Sequence, residues 1–450
     1  MKHWRLKSKE ERRFKQGHPW VYSNELQESP KGIQAGELLE LSDAGGQFLA
    51  YGFGNPNSLI AFRALSREKI EVDNAGERRA HDDQISLLKK IIGKNLGKAF
   101  AFRQQWFSPD QSYRAVFGEA DDLPGLIIDR YKGDHAVYVV QPHSAGMDLH
   151  LSIITEALAK ISIELGDSPK TKVIYRRDAG SREREGLTKE PTKVCTLHTG
   201  EEIQSFEAYR EFSFQLQSLM GREVSITADL IAGQKTGFFF DQAQNIKIVQ
   251  TLLLRKLRYL PEVKNSTLKK FELLDLCSYV GQWSVQLSQV FLEKKLPLSI
   301  TAVDASESAL KLAELNVKKN ALAAGEVTFS KLKADVLEPM PTIKDAHYEV
   351  VVADPPAFIK NRKSIPQGKH AYVQLFTTAI QKTAKNGLVV CCSCSQLLSP
   401  EELKEVLQKA SKRSGRKVRW LAQGSPSLDH FMKAEFEEGH YLKCWIGAVE

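Results

Sequence analysis

A thiol and a carboxylate each follow an apolar run in this chain. Leu388-Val389-Val390-Cys391-Cys392 leads into Ser393-Cys394-Ser395, and Val350-Val351-Val352-Ala353 leads into Asp354-Pro355-Pro356-Ala357-Phe358. Short apolar runs bounded by turn residues read as buried strands, and open α/β sheets bind and react at the carboxyl ends of their strands. If the two strands are neighbours, Asp354 and Cys394 open onto one crevice. A thiol beside an acid suits covalent catalysis: a thiolate added to carbon 6 of a pyrimidine turns carbon 5 into an enamine carbon able to attack a methyl donor. The Asp-Pro-Pro-aromatic turn has rigid carbonyls and a stacking face, which also suit a planar base presented for amino-group transfer. The turn alone therefore leaves nitrogen and carbon open as acceptors, and Cys394 selects carbon, because amino-group transfer needs no thiol. A lone cysteine is more often a core residue. Cys394 differs from Cys391 and Cys392 in lying past the apolar run, between two serines.

A donor site is legible upstream. Asp275-Leu276-Cys277-Ser278-Tyr279-Val280-Gly281-Gln282 reads as the first strand-to-helix turn, where free N–H groups at a helix start receive a ligand. Its single glycine, with no G-x-G-x-x-G, argues against a dinucleotide pyrophosphate. Asp304 ends the next strand and can accept both hydroxyls of a ribose, while Asp335, in Ala334-Asp335-Val336, can meet the amino group of an adenine. Adenosine without phosphates points to S-adenosylmethionine. Taken singly, Asp304 reads equally well as a cap for a helix beginning near Ser306 and Asp335 as a turn residue; it is the three matches in chain order that favour the cofactor.

The elements that must hold these residues alternate strand and helix from residue 211 to 450, as in a mainly parallel sheet covered on both faces. Strands are expected at Phe271–Leu276, Ser299–Val303, Val327–Leu332, Tyr348–Ala353 and Leu388–Ser393, helices from near Gln282, Ser306 and Val373, and an edge hairpin at Val418–Ala422 and Tyr441–Ala448. Residues 1–75 read as a small β-barrel with strands near His18–Ser23, Gly36–Leu41, Gln47–Gly52 and Leu59–Arg63, punctuated by glycines. Beyond Glu71 the pattern turns helical. Residues 76–210 form a central α+β unit with helices over 81–103 and Asp148–Leu165, strands near Tyr113–Val116, Gly125–Arg130, Ala136–Gln141 and Lys172–Arg176, and a long loop or hairpin over Gly180–Glu202.

Composition bounds the rest. A chain of 450 residues exceeds one core, and neither an 18-residue apolar run nor an apolar leader occurs, so a cytoplasmic protein without membrane contact is expected. Six cysteines without paired spacing argue against a metal site or a disulfide framework. The net charge is +8, and the first twenty residues carry Lys2, Arg5, Lys7, Lys9, Arg12, Arg13 and Lys15 against Glu10 and Glu11. Such an arm suits a polyanion, although a charge run by itself reads first as a solvated, partly disordered terminus.

Taken together, Gly233-Gln234-Lys235-Thr236-Gly237-Phe238-Phe239-Phe240-Asp241-Gln242, the Asp275–Gly281 turn, Val303-Asp304-Ala305-Ser306, Asp354–Phe358 and Ser393-Cys394-Ser395 resemble the bacterial 23S ribosomal RNA 5-methylcytosine methyltransferases of the large-subunit type. The likeness extends to Gly17–Ser23, Gly118–Leu126 and Glu438–Lys443, nearly the whole chain. It implies an RNA-binding PUA barrel, a central α+β domain and a class I methyltransferase with a seven-stranded sheet, acting on large-subunit ribosomal RNA. By the same resemblance Cys394 is the nucleophile, Asp354 bonds the cytosine ring, and Gln242, Asp275, Ser278, Tyr279, Gly281, Asp304, Asp335 and Pro355 line the cofactor, with the Lys235–Gln242 loop covering it. The chain departs from the family pattern at Ala243 and Ile246, where arginines are usual, and at Gln282, where a second glycine is common. These departures bear on the grip on the methionine carboxylate and on the target nucleotide. The group that removes the carbon 5 proton is not identified by sequence, and the oligomeric state stays open, a homodimer being compatible. Two rivals remain: purine amino-group methylation of RNA, and a non-catalytic RNA-binding factor that retains the sheet.

Overall fold

The computed structural model describes residues 1–70, 80–217, 221, 223–259, 270–321 and 327–450. The domain boundary expected at residue 75, and the start of helical pattern after Glu71, lie outside them. Contacts divide the chain into two units: Met1–Phe212 with Asp229–Phe238 and Asp429–Gly439, and Ser213–Ala228 with Phe239–Leu428 and His440–Glu450.

In the first unit, β1 (Lys2–Arg5), β2 (Trp20–Tyr22), β3 (Glu37–Ser42), β4 (Phe48–Gly54) and β5 (Ile60–Ser66) form a sheet in the order β1-β3-β4-β5-β2. The basic amino terminus is solvated but ordered, which corrects the expectation of partial disorder. β1 pairs in parallel with β3, and alternation along it sends Trp4 into a core with Leu6, Phe14, Leu39, Leu41 and Phe62 while Lys2, His3 and Arg5 face out. Period-two burial decided the outcome here, not the charge count.

The same unit holds a second sheet, β10-β9-β8-β7-β6, from β6 (Tyr113–Phe117), β7 (Leu126–Lys132), β8 (Ala136–Pro142), β9 (Lys172–Tyr175) and β10 (Lys193–Thr196). Helix Ala80–Gln104 packs on it through Leu87, Leu88, Ile91, Ile92, Leu96, Ala99 and Phe100, the spacing of one helical face. The helix expected over Asp148–Leu165 is two, Ala145–Leu149 and Leu151–Glu164. The span Gly180–Glu202 supplies β10, antiparallel to β9. Arg63 joins the two sheets through Glu119 (2.9 Å) and Glu185 (2.8 Å), all three largely buried. Thr236, from the Gly233–Gly237 segment, bonds Asp129 and the Tyr131 hydroxyl within this unit.

The second unit is built on a seven-stranded sheet in the order β15-β14-β13-β16-β17-β19-β18. A short hairpin, β11 (Phe212–Gln217) and β12 (Glu223–Ala228), precedes it, and its strands are β13 (Phe271–Leu276), β14 (Leu298–Asp304), β15 (Val327–Lys333), β16 (Tyr348–Ala353), β17 (Thr383–Ser393), β18 (Val418–Gly424) and β19 (Lys443–Val449). Neighbours are parallel except β19, antiparallel to β17 and β18. β13 and β16 run as wholly apolar inner strands except for Glu272, Asp275 and Glu349, as burial on both faces requires. Strand order reverses between β13 and β16, the switch point at which open sheets hold ligands. The helix expected from Val373 begins at Ile365, eight residues earlier, because Pro366 occupies its first turn and Asn361 and Ser364 form a capping box ahead of it; proline fits there because that position has no N–H partner to lose.

Candidate active site

The donor side is the turn between β13 and helix Gln282–Glu293. Cys277 (φ 64°), Tyr279 (φ 47°) and Gly281 (φ 79°) are all left-handed, and the two non-glycine residues cost about 1–2 kcal/mol each. Such strain persists only where surroundings impose it. Here Ser278 N–H donates to the Val303 carbonyl (3.0 Å), Tyr279 N–H to Asp304 Oδ2 (2.9 Å) and Gly281 N–H to the Ser278 carbonyl (2.8 Å), while buried Asn316 Nδ2 reaches the Val280 carbonyl (2.9 Å). Asn316 also exchanges two bonds with the Thr227 backbone of β12, so helix Glu307–Ala321 ties the hairpin to the turn. Left-handed residues alternating with others gather successive N–H groups into a concavity, a fixed polar cradle.

Around that cradle, the carboxylates differ in exposure. Asp304 also accepts from Ser306 N–H (2.8 Å). Asp335 is exposed and accepts from Leu337 N–H (2.9 Å). Asp275 is fully sealed beneath the turn, its Oδ2 accepting from Ser284 Oγ (2.6 Å) and N–H (3.2 Å) at the helix start. Burial raises its carboxyl to about 7 against the pull of those bonds, with Asp354 and Asp304 pushing the same way.

The acceptor side lies across the switch point. Ala353 of β16 sits opposite Cys391 of β17, so the two segments leave the sheet at one edge. Half-buried Asp354 accepts from Gln242 Nε2 at Oδ1 (2.8 Å) and from Trp283 Nε1 at Oδ2 (2.9 Å). Gln242 is oriented in turn by Asn245 Nδ2 (2.7 Å). Cys394 is partly exposed, and its Sγ lies 3.8 Å from the carbonyl of buried Pro355. Ser395 Oγ accepts from Ile359 N–H (3.1 Å) and meets the Tyr372 hydroxyl (2.8 Å), tying the thiol's segment to the Pro-Pro turn. The phenol of Tyr372 is pushed up to about 12, first by burial and then by the thiol of Cys394. The sequence-derived residues Gln242, Asp275, Ser278, Tyr279, Gly281, Asp304, Asp354, Pro355 and Cys394 thus sit on contiguous strand ends and turns, with Asp335 at the next strand end out.

Known proteins share these domains and this fold. Residues 5–67 match the PUA-like domain family and residues 249–417 the small methyltransferase domain family. Two solved structures superpose over the full length of both chains at 16% identity: SMU.776, described as a methyltransferase complexed with SAH, with a TM-score of 0.70, and a SAM-dependent methyltransferase from Streptococcus mutans, with 0.66. The chain is a class I, S-adenosylmethionine-dependent methyltransferase with a PUA-like domain. Among its relatives are the Ribosomal RNA large subunit methyltransferase of Deinococcus radiodurans, 29% identical over 98% of this chain and 95% of that one, and the Ribosomal RNA large subunit methyltransferase I of Klebsiella pneumoniae strain 342, 26% identical over 95% and 93%.

The methyltransferase's own residues fit its cofactor. Ser278 Oγ is buried in the strained turn with no hydrogen-bond partner among the described residues, and a buried hydroxyl left unsatisfied beside a polar concavity awaits a ligand atom. Ile246, where the resemblance led one to look for arginine, is fully buried in helix Ala243–Arg258; this chain uses the position for packing. Cys391, Cys392 and Cys444 are fully buried, and burial pushes the Cys391 and Cys392 thiols well up, as it does that of Cys277. Trp283 and Asn316 were not legible as site residues. An indole in a helix's first turn and an asparagine in a helix interior carry no pattern; only the fold aims them at Asp354 and Val280. Among the described residues no cluster of three or more His, Cys, Asp or Glu could hold a metal, and no helix is long and apolar enough to cross a membrane.

Proposed function

We propose that the enzyme methylates carbon 5 of a cytidine in large-subunit ribosomal RNA, in the cytoplasm, through a covalent adduct with Cys394. The observation that carries this reading is the 3.8 Å approach of the Cys394 sulfur to the Pro355 carbonyl, which sets a partly exposed thiol beside the Asp354 turn. The names of the full-length relatives support the RNA class, and a PUA-like domain joined to the catalytic unit is consistent with it.

In this mechanism the target base leaves its stack and enters the crevice. Asp354, its carboxylate fixed by Gln242 and Trp283, accepts a hydrogen bond from the base and orients the ring. The Cys394 thiolate adds to carbon 6, and carbon 5 becomes nucleophilic. S-adenosylmethionine, when bound against Ser278, Tyr279, Gly281 and Asp304, supplies the electrophilic methyl group. Loss of the carbon 5 proton then lets the carbon–sulfur bond break, returning the thiolate.

Unmodified ribosomal RNA incubated with labelled cofactor tests the proposal. Cytosine C5 is expected to carry the label, and Cys394→Ser to lose almost all transfer. Label on a purine amino group, with Cys394→Ser still turning over, would overturn it in favour of the acceptor chemistry that the Asp-Pro-Pro turn also suits.

A further inference from the structure

Lys443 opens β19 directly opposite Ser393, the residue before Cys394. It is only 6% exposed, yet among the described residues no carboxylate forms an ion pair with it, and its ammonium makes a single hydrogen bond, to the Ser395 carbonyl at 2.7 Å. An ammonium has three protons to donate, and a buried cation without a counter-charge is costly. That side chain thus sits unpaired at the edge where the thiol emerges. Burial draws it down to about 8, and Cys394 and then Glu402 act in the opposite direction.

We propose that Lys443 is the counter-ion that keeps Cys394 as a thiolate. It is a positioning residue, acting through the sulfur and not on the substrate. The thiol's proton passes to solvent, and the sulfur's negative charge pairs with the ammonium.

Among the described residues, the neighbouring groups have other roles. Tyr372, from helix Ile365–Lys382, stays neutral well above physiological pH. Lys369 of the same helix is engaged by Glu402 of helix Pro400–Ser414 (2.6 Å). Asp354 has the sign that opposes a thiolate, and the neighbouring thiols of Cys391 and Cys392 are buried and pushed up. Lowered thiol pKa values arise beside lysines of this kind.

The inference rests on Cys394 being the reactive thiol, but its test needs neither RNA nor cofactor. Alkylation of Cys394 by iodoacetamide in the full chain is followed by peptide mass across pH. The wild-type midpoint is expected about one unit or more below that of a free cysteine. Lys443→Met raises that midpoint by about one unit, a roughly tenfold loss of rate at neutral pH that disappears in strong alkali, while Lys443→Arg, which keeps the charge, stays near wild type. A wild-type midpoint at or above that of free cysteine overturns the proposal on its own, even if Lys443→Met does not fold; an unshifted midpoint in folded Lys443→Met overturns it as well. If the midpoint moves as expected while Cys394→Ser still methylates RNA, the ion pair stands and the covalent route fails.

Discussion

Asp275→Asn isolates the electrostatics beneath the cofactor turn. Folded, the Asp275 carboxyl sits at about 7, raised chiefly by complete burial; unfolded, it returns to about 3.9. The native state therefore binds more protons than the unfolded state between those values. Stability is full below about pH 4 and is lost progressively as the pH rises through about 7. The separation of about 3 units corresponds to about 4 kcal/mol at 1.36 kcal/mol per unit. An asparagine keeps the shape and can still accept from Ser284, but it does not ionise. Its new buried N–H costs roughly 1–3 kcal/mol at every pH, which offsets the curve without bending it. Chemical unfolding of both proteins from acid to mild alkali is expected to show wild type the more stable at low pH, with the difference moving by about 4 kcal/mol in favour of the variant as the pH rises. Parallel curves would mean that the carboxyl ionises normally, and the reasoning about a sealed strut under the turn would be wrong.

Two further substitutions probe the same scaffold. Trp283→Phe removes the indole donor from Asp354 Oδ2, a bond to a charged group worth about 1.5–3 kcal/mol. Methyl transfer at saturating cofactor is expected to fall roughly tenfold or more, and an unchanged rate would detach Asp354 orientation from the reaction. Gly281→Ala places a Cβ 3.0 Å from Ala313 Cβ and 3.1 Å from its Cα, at a φ of 79°. The left-handed backbone alone costs about 1–2 kcal/mol, so the melting temperature should drop by about 2–4 °C per kcal/mol. S-adenosylhomocysteine should bind more weakly by calorimetry, and wild-type values for both would show the turn to be unconstrained.

The parallel sheet was legible because its inner strands are short, mainly apolar runs between turn residues; β13 and β16 fall on the expected bounds, and β14 and β15 extend them by a residue or two. What escaped the sequence was fixed by tertiary contact. β1 is a strand because Trp4 and Leu6 find a core, which no count of lysines reveals. The hairpin β11–β12 precedes the sheet with an ordinary polar–apolar alternation, and its importance lies in Asn316, 89 residues beyond its partner Thr227. Within the site, side chains at strand ends were readable because topology alone brings strand ends together. Trp283 was not, since its contact depends on which way one helix turn faces.

The antiparallel insertion of β19 explains how the site is completed. A parallel strand at that place would deliver its carboxyl end to the reacting edge; β19, reversed, delivers its amino end. Lys443 therefore arrives opposite Ser393, and the residues just before it reach the same rim. Tyr441 donates its hydroxyl to Asp241 Oδ2 (2.6 Å), fixing the residue next to Gln242, which in turn holds Asp354. On the proposed reading, the closing strand and the residues before it support both partners, the thiol through the buried charge of Lys443 and the carboxylate through the Tyr441–Asp241 and Gln242–Asp354 hydrogen bonds. In the proposed mechanism neither effect requires β19 to touch the base, so motifs near the chain's end can bear on a reaction assigned to the segments that follow β16 and β17.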